Sequence, residues 1–261
     1  YTIVNSLEGL NQVIDSISSK EGFSFDTETT SLDTMNCELV GISFSIKEAE
    51  AWYIPLGHNE GIQLLKKEVL KALAPVFADP NIPNRAHNDN FDLAVLLQNG
   101  ISIYGLTFDT MIAAHVSGRR NYGLKELVLE CCGIEMTPIS VLIGTGRNQI
   151  TMAEVPIETA ASYAAADAEF TERLYALLES ELHQKEISNL YNNVEIPLIP
   201  ILVQMQRNGV SLNSTFLKEM SISLGAKLDN IQTEIFESIG HEFNLNSPKQ
   251  LSDILFLSLI H

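Results

Sequence analysis

The segment 23–30 contains two acidic residues, Asp26 and Glu28, at a spacing of two. It alternates aromatic and small polar residues, which is typical of a buried β-strand, and side chains two apart on a strand point to the same face. Two neighbouring carboxylates on a buried strand repel each other, and burying them without a partner is costly. Hard divalent cations such as Mg²⁺ and Mn²⁺ prefer oxygen ligands. Asp26 and Glu28 are therefore predicted to form the first half of a metal site.

Three further residues have side chains that could complete such a site. Asp92 lies in the first turns of a helix predicted to begin at Asn88 or Asp89. Taken alone, it is explained by the favourable interaction of a carboxylate with a helix N-terminus. Tyr163 and Asp167 are separated by three alanines, and at this spacing both side chains lie on one helix face. Taken alone, an ordinary amphipathic helix also explains this pair.

The order of these motifs resembles the tyrosine-containing branch of the DEDD exonuclease superfamily. The four acids and the tyrosine follow one another on a strand, a helix and a late helix. The segments 25–33, 88–92 and 163–168 are similar to the proofreading exonuclease domain of bacterial family A DNA polymerases.

The C-terminal part resembles another region of the same polymerase family. The segments 194–202, 205–210 and 243–251 are similar to the start of the polymerase domain, at the base of the thumb. The resemblance implies a 3'-5' exonuclease domain over residues 1–187 and the truncated helical start of a polymerase domain over residues 188–261. Exonucleases of the RNase D kind are not expected to have this tail.

The resemblance also implies a mechanism. The predicted catalytic residues are Asp26, Glu28, Asp92, Tyr163 and Asp167. The four acids would hold two divalent cations, Mg²⁺ or Mn²⁺, with Asp26 bridging them, and the product would be a nucleoside 5'-monophosphate released from a DNA 3' end. Tyr163 would orient the attacking water, because an unperturbed tyrosine pKa near ~10 makes it a poor base at neutral pH. Some thermophilic members of the family lack the carboxylates, whereas all of them are present here.

Five residues near the acids are predicted to contact a single-stranded or frayed DNA 3' end: Leu32, His87, Asn88, Phe91 and Arg119. Leu32 matches the family's leucine that wedges against the terminal base. Phe91 is predicted to stack on a base, with packing in the core as the alternative. His87 stands where the family often has glutamine, and a hydrogen bond to the backbone is an equal alternative. Arg119, together with its neighbour Arg120, is the candidate for a phosphate contact, although a solvated loop is the usual place for such a pair.

The elements that must position these residues indicate an α/β fold. Strands are predicted at 23–30, 39–46, 51–55, 84–88 and 107–109. The first three are joined by short links and are therefore expected to be antiparallel neighbours. Helices are predicted at 64–77, 89–98, from 110, 123–130, 156–186 and 213–239. Residues 1–20 are expected to form an edge strand and a helix. With the resemblance, these elements predict an RNase H-like mixed sheet of five strands, flanked by helices and followed by a helical extension.

Composition limits the functions that the chain can have. The net charge of −17 argues against a protein that binds long duplexes through its own surface, but it allows short contacts at a metal-filled pocket. No apolar run is long enough to span a bilayer. Three cysteines, two of them adjacent, predict free thiols in a reducing compartment, so we expect a cytoplasmic location. We also expect a monomer. The chain begins without methionine and ends on an apolar segment, so we expect a longer parent chain whose polymerase domain is its partner.

Two other functions fit parts of this pattern. A catalytically silent module that braces a polymerase would show no dependence on Mg²⁺ or Mn²⁺. An RNA exonuclease of the RNase D kind would degrade RNA in preference to DNA, but the polymerase-like C-terminal segments argue against it.

Overall fold

The computed structural model describes residues 1–19 and 21–258 of the chain. The chain forms two compact units, Tyr1–Asn208 and Gly209–His261. The end of the predicted helical extension, residues 259–261, lies outside the described residues.

The first unit is built on a mixed sheet with six strands among the described residues, in the order β1-β4-β3-β2-β5-β6. The strands are β1 (Thr2–Ile3), β2 (Phe23–Thr29), β3 (Leu39–Lys47), β4 (Glu50–Pro55), β5 (Asn84–Ala86) and β6 (Leu106–Asp109). As predicted, β2, β3 and β4 are antiparallel neighbours, and β5 and β6 continue the sheet in parallel beyond β2. The edge strand predicted within residues 1–20 is confirmed as β1, where Thr2 and Ile3 pair in parallel with β4. Because β1 joins the sheet, the count is six strands among the described residues, and the predicted count of five is wrong by one.

Nine α-helices lie between and after these strands in the described part of the first unit. They are α1 (Leu7–Ile17), α2 (Lys66–Phe77), α3 (Asp89–Gln98), α4 (Thr110–Val116), α5 (Leu124–Cys132), α6 (Ile139–Ile143), α7 (Ile157–Gln184), α8 (Ser188–Leu190) and α9 (Ile196–Asn208). The helix α9 packs against α3 and buries Ile199 and Val203, so the compact unit continues beyond residue 187. The domain boundary at this position stays a prediction. Every described helix is too short or too polar to cross a membrane.

The two faces of the sheet are buried against different helices. On one face, the rings of Phe23 and Phe25 lie 5.5 and 5.1 Å from that of Phe77 in α2, measured between centroids. The other face is covered by α7, where Ala160 and Ala164 are buried in a cluster with residues of β3 and β4. Because alanine ends at Cβ, the backbone of α7 can lie close to the sheet. Every second side chain of β2 is therefore within reach of α7.

The second unit contains α10 (Ser214–Ile239) and α11 (Pro248–Asp253). The side chain of Asn213 caps α10 by accepting a hydrogen bond from the N–H of Phe216 at 3.0 Å. The helix ends at Gly240, whose φ of +85° lies in the left-handed region that glycine adopts without steric cost. The predicted helix over 213–239 is confirmed.

Candidate active site

Strand β2 presents Asp26 and Glu28 on the face that α7 covers. Ser24, which lies on the same face, donates a hydrogen bond to a carboxylate oxygen of Glu172 in α7 at 2.6 Å. In the antiparallel register, Asp26 pairs with a serine of β3, and Glu28 pairs with Gly41. Both neighbours are small, so the two carboxylates are not displaced from the space between the sheet and α7.

Helix α7 brings a third carboxylate to this place. Asp167 is 7% exposed, and Tyr163, one turn earlier, is half-buried. One oxygen each from Asp26, Glu28 and Asp167 can be chosen so that all three lie within 4.8 Å of one another. The period of two in the strand and the i, i+4 spacing in the helix together produce this cluster.

Asp92 approaches β2 from α3 and lies outside the cluster of three. Its Oδ1 accepts hydrogen bonds from the N–H of Thr27 at 2.9 Å and from the hydroxyl of Thr27 at 2.5 Å. The N–H is available because β5 pairs with β2 only at Phe23 and Ser24 before the chain turns into α3. These bonds hold the Asp92 carboxylate beside Thr27, the residue that lies between Asp26 and Glu28 on the strand. Its role at a second cation stays a prediction.

Burial and mutual repulsion raise the pKa values of the clustered acids. For Asp26 the largest cause is burial, followed by the charge of Asp92, and for Glu28 it is burial, followed by the charge of Asp167. Burial also raises the pKa of Asp167, against the opposing charge of Lys125. Burial raises the pKa of Asp92 to about 7, an effect limited by its two hydrogen bonds. Lys125 is one positive charge beside several carboxylates, so it compensates their anionic forms only in part, and a bound cation would supply the remaining charge.

The donor set fits a divalent cation. Glu28 is 6% exposed, and its Oε1 is buried without a hydrogen-bond partner among the described residues. Leaving such an oxygen unpaired is costly, whereas hard cations such as Mg²⁺ bind carboxylate oxygens. Asp26, Glu28 and Asp167 are therefore the residues that could hold a metal ion.

A buried hydrogen-bonded pair supports the strand opposite Glu28. His58 Nδ1 lies 2.9 Å from the carbonyl oxygen of Val155, so this nitrogen carries the proton, and Nε2 accepts a hydrogen bond from the Tyr53 hydroxyl at 2.7 Å. Burial lowers the pKa of His58, which agrees with a neutral ring. The Tyr53 ring occupies the space where a side chain at Gly41 would be. Gly41 is therefore required for this packing.

Comparison with known proteins agrees with this geometry. A family model described as a 3'-5' exonuclease matches residues 1–183. The chain belongs to this 3'-5' exonuclease family. The resemblance inferred from the motifs is confirmed.

Curated relatives of this exonuclease chain are DNA polymerases. DNA polymerase I of Chloroflexus aurantiacus is 42% identical over 258 residues, which cover 98% of this chain and 27% of that protein. DNA polymerase I of Pseudomonas aeruginosa is 34% identical over 98% of this chain and 29% of that protein. The chain thus spans less than a third of the length of these relatives.

Solved structures share the fold of the exonuclease chain. The POL domain of Pol1 from M. smegmatis, in complex with DNA primer-template and dNTP, has a TM-score of 0.72 at 21% identity, covering 99% of this chain and 41% of that chain. Brucella melitensis NrnC with bound Mg²⁺ has a TM-score of 0.57 at 19% identity, covering 80% of this chain and 92% of that chain. At these identities, the likeness shows the fold alone. The predicted α/β, RNase H-like fold is confirmed.

Two of the predicted substrate contacts differ in exposure. Leu32 follows β2 and is 88% exposed, so its side chain is free to contact a ligand. Phe91 is half-buried and packs against the main core cluster of the first unit. The observed contacts of Phe91 are those of the core alternative, and base stacking stays a prediction for its exposed part.

His87 and Asn88 form the turn between β5 and α3. His87 Nδ1 lies 2.8 Å from the hydroxyl oxygen of Thr110, a side-chain partner and not the backbone one considered from the sequence. Burial, with a smaller effect of the Lys125 charge, lowers the pKa of His87 to about 4. Asn88 is exposed and has a φ of 66°. The chain therefore turns sharply just before the helix that contains Asp92.

Arg119 is held by acidic side chains of the first unit. Its Nε lies 3.1 Å from Oε2 of Glu181, and its NH1 lies 2.5 Å from Oε1 of Glu130. In this arrangement, the guanidinium group is occupied by two carboxylates. A phosphate contact by Arg119 stays a prediction, and it would require exchange of these partners.

Sequence reasoning missed Lys125, the second residue of α5. Its Nζ lies 3.1 Å from the Tyr163 hydroxyl oxygen and 3.4 Å from Oδ1 of Asp167. One signal was present in the sequence, because a lysine in the first turn of a helix opposes the helix dipole and needs a compensating partner. The partner lies on another helix, so it could not be identified from local sequence.

Proposed function

We propose that this chain is a metal-dependent 3'-5' exonuclease that removes nucleoside 5'-monophosphates from DNA 3' ends. The observation that supports this most is the cluster of Asp26, Glu28 and Asp167 within 4.8 Å, in a chain of the 3'-5' exonuclease family. In the parent protein, this activity would proofread the product of a DNA polymerase.

The chain's own residues have distinct tasks in this proposal. When two divalent cations, Mg²⁺ or Mn²⁺, are bound by the acids, they supply activation of a water and stabilisation of the leaving oxygen. Tyr163 orients that water by donating a hydrogen bond. Burial, followed by the charge of Asp167, raises the pKa of Tyr163, so its hydroxyl keeps its proton and does not act as a base. Asp92, held by Thr27, completes the acidic set beside Asp26.

The surroundings of the acids support a nucleotide substrate. A cavity of about 530 Å³ opens beside Tyr163 and Asp167; its lining includes the apolar Leu142 and Phe170 and the acidic Glu135 and Glu158. This volume is in the range of small-ligand sites, and Leu32 is exposed for contact with the terminal base. The net charge of −17 opposes binding of a polyanion, so affinity depends on bound cations and on a polymerase region outside this chain.

The relatives support a place for this chain in a larger enzyme. They are DNA polymerases I, and the chain matches 27% and 29% of their lengths. We assign residues 188–261 to the start of the polymerase domain, so that polymerisation belongs to the part of the parent chain beyond this sequence.

The test is trimming of a 5'-labelled single-stranded DNA oligonucleotide with Mg²⁺, with Mn²⁺ and with excess chelator. We expect stepwise shortening from the 3' end with either metal and none with chelator. Asp26→Ala should abolish trimming while preserving the circular dichroism spectrum. Asp15→Ala, which removes an exposed carboxylate of α1, is the matched control and should trim at the parental rate.

Three outcomes would contradict the proposal. Equal trimming by the parent and by Asp26→Ala would exclude these acids and point to a contaminating nuclease. Faster degradation of a matched RNA oligonucleotide than of DNA would assign the chain to RNA processing. Absence of any metal-dependent trimming by the parent would favour a silent structural module.

A further inference from the structure

We propose that Lys125 is a positioning residue, whose ammonium group holds the Tyr163 hydroxyl in the orientation that directs the attacking water. This inference rests on the proposed function and deepens it, because it adds a residue from α5 to a site built from β2, α3 and α7.

Lys125 donates a hydrogen bond to the Tyr163 hydroxyl, and the direction of this bond restricts where the hydroxyl proton can point. The ammonium group of lysine can only donate, so the Tyr163 hydroxyl oxygen must be the acceptor in the 3.1 Å contact with Lys125 Nζ. The hydroxyl proton then points away from Nζ. In the metal-free chain its acceptor is the Asp167 carboxylate, one turn later on α7, and binding of that carboxylate to a cation would free the proton for the water. Nζ also lies 4.4 Å from the centroid of the Tyr163 ring, which adds a cation–π contact. These two contacts restrain both the ring and its hydroxyl group.

Lys125 lies in the first turn of α5, a helix that is packed against α7. Its side chain is 26% exposed, and it lies at the N-terminal end of α5, where the helix dipole disfavours a positive charge. The charge is compensated by Asp167 Oδ1 at 3.4 Å. The helix is fixed in place by Leu127 and Val128, which are fully buried in the cluster that includes residues of α7. Lys125 therefore contacts both members of the Tyr163 and Asp167 pair from a rigid element.

The positive charge of Lys125 allows two roles to be distinguished: positioning the Tyr163 hydroxyl, or only holding Asp167 in place as a metal ligand. A cation 3.4 Å from Asp167 repels any divalent ion that Asp167 helps to bind. Removing the charge should therefore leave metal affinity unchanged or increase it. If Lys125 only kept Asp167 in place, its removal would weaken metal binding.

The test compares Lys125→Met, which keeps the length of the side chain, with the parent. We expect kcat for trimming of single-stranded DNA to fall by about 10- to 100-fold, as for other residues that orient catalytic groups, with little change in KM. Lys47→Met is the matched control, because Lys47 also pairs with a carboxylate, that of Glu50 at 2.8 Å, but makes no contact with Tyr163 or Asp167. It should keep the parental kcat.

Two further measurements decide whether Lys125 acts through Tyr163. Because both residues serve one hydrogen bond, Tyr163→Phe should lower kcat no further in the Lys125→Met protein. Mn²⁺ titrated into each protein without DNA, with free Mn²⁺ followed by electron paramagnetic resonance, should bind Lys125→Met at least as tightly as the parent. A parental kcat in Lys125→Met, multiplicative losses in the double variant, or weaker Mn²⁺ binding would each overturn the inference. If the parent itself does not trim DNA, the proposed function fails instead.

Discussion

Replacing Glu28 with glutamine tests whether the acidic cluster is electrostatically strained without metal. Glutamine has nearly the same shape and removes one negative charge. Glu28 has a buried oxygen without a hydrogen-bond partner among the described residues, so the substitution breaks no hydrogen bond of that atom. We therefore expect Glu28→Gln to stabilise the metal-free protein, which is the reverse of most buried substitutions.

The expected size follows from the distances in the cluster. Two unit charges 4.8 Å apart, the limit that the three acids satisfy, repel by about 3 kcal/mol at an effective dielectric constant near 20. Partial protonation of the acids reduces this repulsion, because their pKa values are raised. We expect a net gain of about 1–3 kcal/mol. For a domain of this size, that corresponds to an increase in Tm of roughly 3–10 °C.

The assay is thermal unfolding by circular dichroism at pH 8, in chelator and in increasing Mg²⁺. The parent should gain Tm as Mg²⁺ is added, whereas Glu28→Gln should start higher and gain less, because one ligand is lost. Glu60→Gln, which removes an exposed carboxylate, controls for the change in net charge and should follow the parent.

A lower Tm of Glu28→Gln in chelator, together with an unchanged response to Mg²⁺, would refute this reasoning. It would mean that Glu28 is held by interactions other than repulsion from its neighbours, and that no cation binds at these oxygens.

Four further predictions concern single positions outside the acidic cluster. Gly41→Ala should lower the free energy of unfolding by about 1–3 kcal/mol in urea titrations, because the added methyl group overlaps the Tyr53 ring; unchanged stability would mean that the ring can move. Asp109→Ala should cost about 2–4 kcal/mol in the same assay, since the Asp109 carboxylate accepts four backbone hydrogen bonds at the starts of α3 and α4; a loss below about 0.5 kcal/mol would contradict this capping role. Since the pKa of His87 is lowered to about 4 in the folded chain, its contribution to stability is present above about pH 6.5 and is lost as the pH falls toward 4; the parent should lose stability relative to His87→Gln in that window, and parallel pH profiles would be evidence against it. Arg119→Ala should lower Tm by a few degrees and leave the KM for DNA unchanged, because its guanidinium group is occupied by two carboxylates; a raised KM with unchanged Tm would instead support the phosphate contact predicted from the sequence.

Patterns of short range could be predicted from the sequence. Alternation along 23–30 predicted a buried strand with Asp26 and Glu28 on one face, and the spacing of Tyr163 and Asp167 predicted one helix face. Both depend on the local periods of strand and helix, which need no knowledge of the rest of the chain. The order of the motifs also identified the family, because the order of residues along the chain can be read without knowing how far apart they lie in space.

Contacts between distant segments were decided only by the tertiary structure. Thr27 holds Asp92 because β5 ends early and leaves a backbone N–H unpaired, which no local pattern predicts. Lys125 lies beside Tyr163 because α5 packs against α7, and Arg119 pairs with acids on two helices for a similar reason. A long charged side chain can reach any partner that packing brings near it. Its residue type therefore determines what it can bind, and the fold alone determines which partner it meets.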